Sequence, residues 1–110
     1  MEKRGILIAF TVRTEKIKNS SEKTKFFKQL YGWTQVIPKE NKTYTYHREG
    51  VLDEVPHVRV DQSSFIVPED DTDRVFHFFE EWGNKVMWRN FKILLDEDTE
   101  RELDEWEEEE

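Results

Sequence analysis

Asn19–Trp33, NSSEKTKFFKQLYGW, and Asp70–Gly83, DDTDRVFHFFEEWG, are two versions of one design. Each opens on small polar or acidic residues, carries a Phe-Phe step midway and closes on an aromatic residue beside Gly. In the first, Asn19 caps a helix over about Ser20–Tyr31. Glu22 stands three residues on, in a capping-box pattern, and Gly32 supplies the stop. Phe26, Phe27 and Leu30 make its apolar stripe. In the second, over about Asp70–Trp82, acidic residues crowd the first turn, where the helix dipole favours them. Val75, Phe78, Phe79 and Trp82 form its stripe.

Strand signals flank both helices. Gly5–Arg13 (GILIAFTVR) alternates with apolar residues on both faces, as a central strand does. Val36–Lys42 reads as a loop around Pro38, Thr43–Arg48 (TYTYHR) as a short aromatic strand, and Glu49–Pro56 as a bent connection. His57–Val67 (HVRVDQSSFIV) is the third strand, bulged near Gln62–Ser64 and ended by Pro68; Lys85–Leu95 (KVMWRNFKILL) is the fourth. This order predicts an α+β, ferredoxin-like βαββαβ sandwich over residues 1–95. It has a four-stranded antiparallel sheet with two helices on one face, and residues 96–110 follow as an acidic tail. The other face is expected to carry Leu7, Ala9, Thr11, Tyr44, Tyr46 and Trp88 or Phe91. So much apolar surface calls for a partner, a second subunit or the tail to cover it.

Composition sets the remaining bounds. The chain has 110 residues, eight Phe, four Trp, three Tyr and no Cys. Aromatic rings let a small core close, and the missing thiols exclude a disulfide framework. No apolar run reaches the ~20 residues of a membrane span. The start MEKRGILIAF turns to charge too early for a signal peptide and reads as strand, so cytoplasmic residence is expected. Heavy use of Lys and Glu without Cys is a composition that heat-adapted proteins share. The net charge of −8 is unevenly spread. Residues 1–50 hold 11 Lys and Arg against 5 Asp and Glu, whereas residues 96–110 hold 1 against 11. A basic half joined to an acidic tail is an asymmetry with consequences for partners.

No chemical motif emerges. His47, His57 and His77 lack the spacing of a zinc site, and Ser20, Ser21, Ser63 and Ser64 sit in cap or strand contexts rather than on a nucleophile elbow. Glu69, Asp70, Asp71 and Asp73 are dense enough for a divalent ion, but they lack the alternating oxygens and central Gly of a calcium loop. A helix start dressed with negative charge explains them. No catalytic residue, metal or cofactor is assigned.

The basic run Arg13, Lys16, Lys18, Lys23, Lys25 and Lys28 is the best site candidate, with Arg48 beside it and only Glu15 and Glu22 opposing. Lysines leading into a helix can line up on phosphates, although such runs also serve as solvated helix faces. Tyr44, Tyr46 and Trp88 suit base stacking or an interface. In the tail, Thr99 with Glu102 could cap a short helix whose Leu103 and Trp106 dock it, so that its charge competes with phosphates for the basic half.

Three stretches together, GILIAFTV, EKTKFFKQLYGWTQV and SSFIVPEDDTDRVFHFFEEWG, resemble a known family across residues 5–95. It is the small CRISPR-associated spacer-integration subunit, with relatives among repressor C-terminal domains and a bacterial toxin family. The resemblance implies the βαββαβ order, a homodimer packed through sheet edges or faces, and a duplex-binding surface. The family's metal-binding Asp at the end of the first strand falls on Thr11, in Phe10-Thr11-Val12. A hydroxyl cannot replace that carboxylate, so the metal-dependent nuclease activity of some members is not expected. TYHREGVLDEVPHV is also longer than the family's usual hairpin. The expectation is a non-catalytic, dimeric protein that binds nucleic acid through the phosphate backbone with its basic half, or binds a nucleic-acid-processing partner. The alternative is a protein-interaction module with an aromatic sheet face and a nucleic-acid-mimicking tail. A metal-dependent nuclease using Asp70, Asp71 and Asp73 ranks last.

Overall fold

A computed structural model describes residues 3–108; residues 1–2 of the expected 1–95 domain and 109–110 of the expected tail lie outside the described residues. The chain is α+β. Strand β1 (Arg4–Val12) leads to helix α1 (Ser20–Tyr31), then to strands β2 (Trp33–Lys39) and β3 (Lys42–Arg48). A short 3₁₀ turn, Val51–Glu54, precedes β4 (Val58–Asp61) and β5 (Ser64–Pro68). Helix α2 (Asp73–Trp82), strand β6 (Val86–Leu94) and helix α3 (Glu97–Glu108) complete it. None of the described helices is long and apolar enough to cross a membrane.

The four-stranded antiparallel sheet runs β4-β5-β1-β6, while β2 and β3 form a separate two-stranded sheet. This corrects three expectations. Val36–Lys42 is strand and turn rather than loop, because β2 pairs with β3 from Trp33–Arg48 to Lys39–Lys42. Pro38 is tolerated because both strands of a two-stranded ribbon are edges, where a missing N–H can face solvent. Thr43–Arg48 therefore belongs to this ribbon and not to the main sheet. The stretch His57–Val67 is two strands, whose register shifts between Arg59 and Asp61 and which turn where Asp61 Oδ1 accepts from Ser63 N.

The core lies between the main sheet and the first two helices. Ile6, Ile8 and Phe10 of β1, Phe65 and Val67 of β5, and Val86 of β6 face α1 and α2, whose Phe26, Leu30, Val75, Phe78 and Phe79 are buried with them. Phe79 is the hub, with ring centroids 5.2 Å from Trp88, 5.4 Å from Phe10 and 6.0 Å from Phe26. Side chains alternate along a strand. Leu7, Ala9 and Thr11 thus fall on the other face, opposite Phe91, Arg89 and Met87.

The helix ends follow local chemistry. Asn19 Oδ1 accepts from Glu22 N at 3.1 Å, as expected of a cap. The Glu22 carboxylate does not close the box; it pairs with Lys85 at 2.9 Å. Helix α2 begins at Asp73 with Thr72 in the cap position, leaving Asp70 and Asp71 in the preceding turn. The tail from 96 onward is a twelve-residue helix as far as it is described. Its cap is Asp96, which accepts from Thr99 N at 2.7 Å, rather than Thr99 itself. Leu103 is buried, α3 packs against β4, and Trp106 lies 6.3 Å from the His57 ring. Lys3 adds an ion pair to Asp104 at 2.9 Å. Ile66, turned away from Phe65 and Val67, is also buried outside the main core. The tail helix thus covers the β4 end of the second sheet face, while Met87 and Phe91 at the β6 end remain exposed.

The ribbon is rooted at a glycine crossing. Gly32 has φ 77 and ψ −177, a region nearly reserved for Gly, and a Cβ there would sit 2.5 Å from Arg48 O. A Cβ on Gly50 would meet Gly32 N at 2.2 Å. By contrast, Gly83 also has positive φ but nothing within 4 Å of its Cβ position. Gly32→Ala is therefore expected to cost more than Gly83→Ala by about 1–3 kcal/mol, the usual range for forced overpacking. Urea unfolding of the two variants beside the parent checks this difference.

Candidate functional site

The ribbon has two unlike faces. Its pairing puts Trp33 opposite Arg48, Gln35 opposite Tyr46, Ile37 opposite Tyr44 and Lys39 opposite Lys42, all on one face. The other face carries Thr34, Val36 and Pro38 opposite His47, Thr45 and Thr43. The first face therefore interleaves rings with cations and bears no carboxylate. Arg48 is held in place there: its Nε donates to Gln35 Oε1 at 2.6 Å, and its guanidinium lies 5.7 Å from the Tyr46 ring centroid. All seven residues of β3 are exposed.

The root of the ribbon is pinned by polar contacts. Asp53 Oδ2 accepts from Gly50 N at 2.7 Å and lies 2.9 Å from His47 Nε2. This single carboxylate ties the 3₁₀ turn to the end of β3, beside the Gly32–Gly50 crossing.

Beside that root lies a cleft of about 340 Å³ between α1 and β4. Lys23, Phe27, Lys28 and Tyr31 come from one side of α1, at the spacing that stacks residues on a helix face. Arg59 and Gln62 close it from the other side. The Arg59 guanidinium stacks on the Tyr31 ring at 3.8 Å, and Tyr31 Oη donates to Gln62 O at 2.6 Å. Lys28 links cleft and ribbon, with its ammonium 4.1 Å from the centre of the Trp33 ring. Among the described residues, Lys23, Lys28 and Arg59 have no carboxylate within ion-pair distance.

The residues singled out from sequence divide into groups. Lys23 and Lys28 share the cleft, and Arg48 stands on the ribbon face with Tyr44 and Tyr46. Lys25 falls on the side of α1 that carries Glu22 and Gln29. That side faces α2 and the turn that follows it, since Gln29 accepts from Trp82 Nε1 at 3.1 Å and Glu22 pairs with Lys85. The hydrogen bond from Lys85, against partial desolvation, holds the Glu22 carboxyl below its ordinary range, helped by the charges of Lys85 and Lys18. Arg13, Lys16 and Lys18 lie in the β1–α1 connection, with Arg13 Nη2 3.7 Å from Met87 Sδ. Trp88 is not beside Tyr44 and Tyr46: it stacks on Phe79 and packs against the core. Arg59, Lys39, Lys42 and Trp33 were not evident from the sequence, because their importance depends on the hairpin and on β4.

Among the described residues, none of the acidic helix lines the cleft. Its ion pairs among the described residues are to Lys3 and, within the helix, between Arg101 and Asp98. Asp70, Asp71 and Asp73 form no metal cluster, and no group of three or more His, Cys, Asp or Glu among the described residues could hold an ion. Thr11 is exposed on the second sheet face, opposite Met87. No family model, curated protein or solved structure matches the chain.

Burial pushes the Tyr31 hydroxyl above its ordinary 10.0; Arg59 opposes the rise and Asp61 adds to it. The folded chain thus holds this proton to higher pH than the unfolded chain. The stability this adds is complete below about pH 10 and is lost as pH climbs through the folded-state value. Tyr31→Phe removes the bond to Gln62 O, at a cost of about 1 kcal/mol at neutral pH. It should also flatten the alkaline fall in stability. Urea midpoints measured from neutral pH upward test this, and equally steep falls for both proteins would count against it.

Proposed function

We propose that this chain is a non-catalytic, nucleic-acid-associated protein that grips the phosphate backbone. The observation that carries this reading is the trio Lys23, Lys28 and Arg59. These three cations share one cleft, none has a carboxylate partner among the described residues, and Lys28 leads directly onto the ring-and-cation face of the ribbon. Unpaired cations on rigid elements lose little on meeting phosphate and release counterions from the polymer. Arg59 is further preorganised by its stacking on Tyr31.

The fold reading that accompanies it is ferredoxin-like. Strand order β4-β5-β1-β6, antiparallel throughout, with α1 and α2 as crossovers, supports a split βαβ arrangement into which the ribbon is inserted. The long stretch noted in the resemblance, TYHREGVLDEVPHV, overlaps the ribbon only at the end of β3 and otherwise runs through the 3₁₀ turn to the start of β4. A homodimer fits as well. Met87 and Phe91, 44% and 50% exposed on the uncovered end of the sheet, offer a second copy an apolar contact. The same patch favours the second reading, a protein partner on the sheet face.

Titration of the full chain against a labelled duplex at low and moderate salt tests the proposal. Affinity should fall steeply with salt, with a log–log slope of about −0.9 per phosphate contacted. Lys23→Glu/Lys28→Glu should lower affinity at least tenfold. Lys16→Glu/Lys25→Glu, an equal charge change outside the cleft, should do so far less. No binding at low salt, or equal losses from the cleft and off-cleft variants, would overturn the cleft as the phosphate site.

A further inference from the structure

We infer that the β2–β3 ribbon enters the major groove of B-form DNA while the cleft holds the flanking backbone, so that the ligand is duplex DNA rather than RNA. This rests on the phosphate-binding reading and adds the class of duplex and the mode of docking.

Shape argues first. A ribbon of seven-residue strands is about 23 Å long, with its strands about 4.8 Å apart. A two-stranded ribbon is one of the elements that the B-form major groove, about 12 Å wide, admits. The minor groove, about 6 Å wide, is too narrow, and the A-form major groove is too deep and narrow for side chains to read. The ribbon's strands pair only with each other, and every residue of β3 is exposed. The molecule measures 55 × 38 × 20 Å, and its radius of gyration of 16.0 Å exceeds the about 13 Å of a compact chain of this length.

Chemistry argues second. On the ribbon face, Arg48 spends its Nε on Gln35 and keeps its outer nitrogens for a base edge such as guanine O6 and N7. Gln35 keeps its amide nitrogen. Tyr44 and Tyr46, 42% and 47% exposed, offer apolar faces to thymine methyl groups. At the tip, Lys39 and Lys42 outweigh Glu40, the ribbon's one acidic residue, and can meet phosphates across the groove. At the root, Lys28 connects this face to Lys23 and Arg59, which places backbone contacts where the ribbon leaves the groove. A solvated structural hairpin needs no carboxylate-free face of rings and cations.

The test compares the full chain on four probes of one sequence. These are a DNA duplex, the RNA duplex, single-stranded DNA, and a DNA duplex whose major groove is filled by glucosylated 5-hydroxymethylcytosine. Unmodified DNA should bind at least tenfold more tightly than each of the others. Netropsin in the minor groove should leave that affinity unchanged. Lys42→Ala/Arg48→Ala should weaken binding to unmodified DNA and change little on the glucosylated duplex. Equal binding to the plain and glucosylated duplexes, or to DNA and RNA duplexes, would overturn the groove assignment while leaving the phosphate reading standing. Preference for the single strand would overturn it too. Failure to bind any probe would bring down both.

Discussion

The two halves of the main domain meet on the Phe79 ring. From α2 it reaches Phe10 on β1, Phe26 on α1, Phe65 on β5 and Trp88 on β6. Each ring pair adds about 0.5–1.5 kcal/mol beyond the area it buries, and their preferred offset and edge geometries restrict how the helices lie on the sheet. The position of α1 decides where Lys23, Lys28 and Tyr31 stand relative to Arg59. The cleft is therefore set by aromatic packing on the opposite side of α1, with Phe26 turned inward and Phe27 between core and cleft.

The ribbon is held by a different kind of force. Its pairing partners are its own two strands, and its attachment is the Gly32–Gly50 crossing with Asp53 bonded across it. Polar contacts are directional, so they fix an orientation, while Val51 and Leu52 of the same turn anchor the root in the core. The acidic helix has a third kind of attachment. Leu103 supplies apolar burial and Lys3 the charge pairing on the second sheet face, so opposite charges occupy different parts of the molecule. This separation keeps a chain of net charge −8 from neutralising its own cationic surface.

Much of the fold was legible in the sequence. The caps at Asn19 and Gly32, the helical stripes through Phe26 and Phe79, and the alternation of β1 and β6 each carry a local signal with a physical cause. The ribbon was hidden by its turn. Lys39 pairs with Lys42, which leaves a two-residue loop in which Glu40 has φ 56. That position usually announces itself with Gly, and a Glu there removes the strongest hairpin signal. Pro38 then pointed to a loop. The consequence for the site was larger than for the fold. Without a signal for β2, the sequence offers Tyr44 and Tyr46 no partner but the main sheet, where Trp88 also lies. Trp88 could not be told from a surface ring by alternation alone, since both faces of β6 carry large apolar residues.

A segment whose two ends touch behaves differently from one that spans a gap. Because Gly32 and Gly50 meet, the chain between them closes on itself, and closure entropy grows only slowly with the length enclosed. The main domain would therefore tolerate a longer, shorter or wholly different hairpin at this point with little change in its own stability. The crossing is a graft junction. Evolution or an engineer could exchange the ribbon as a cartridge while the aromatic core continues to fold unaltered.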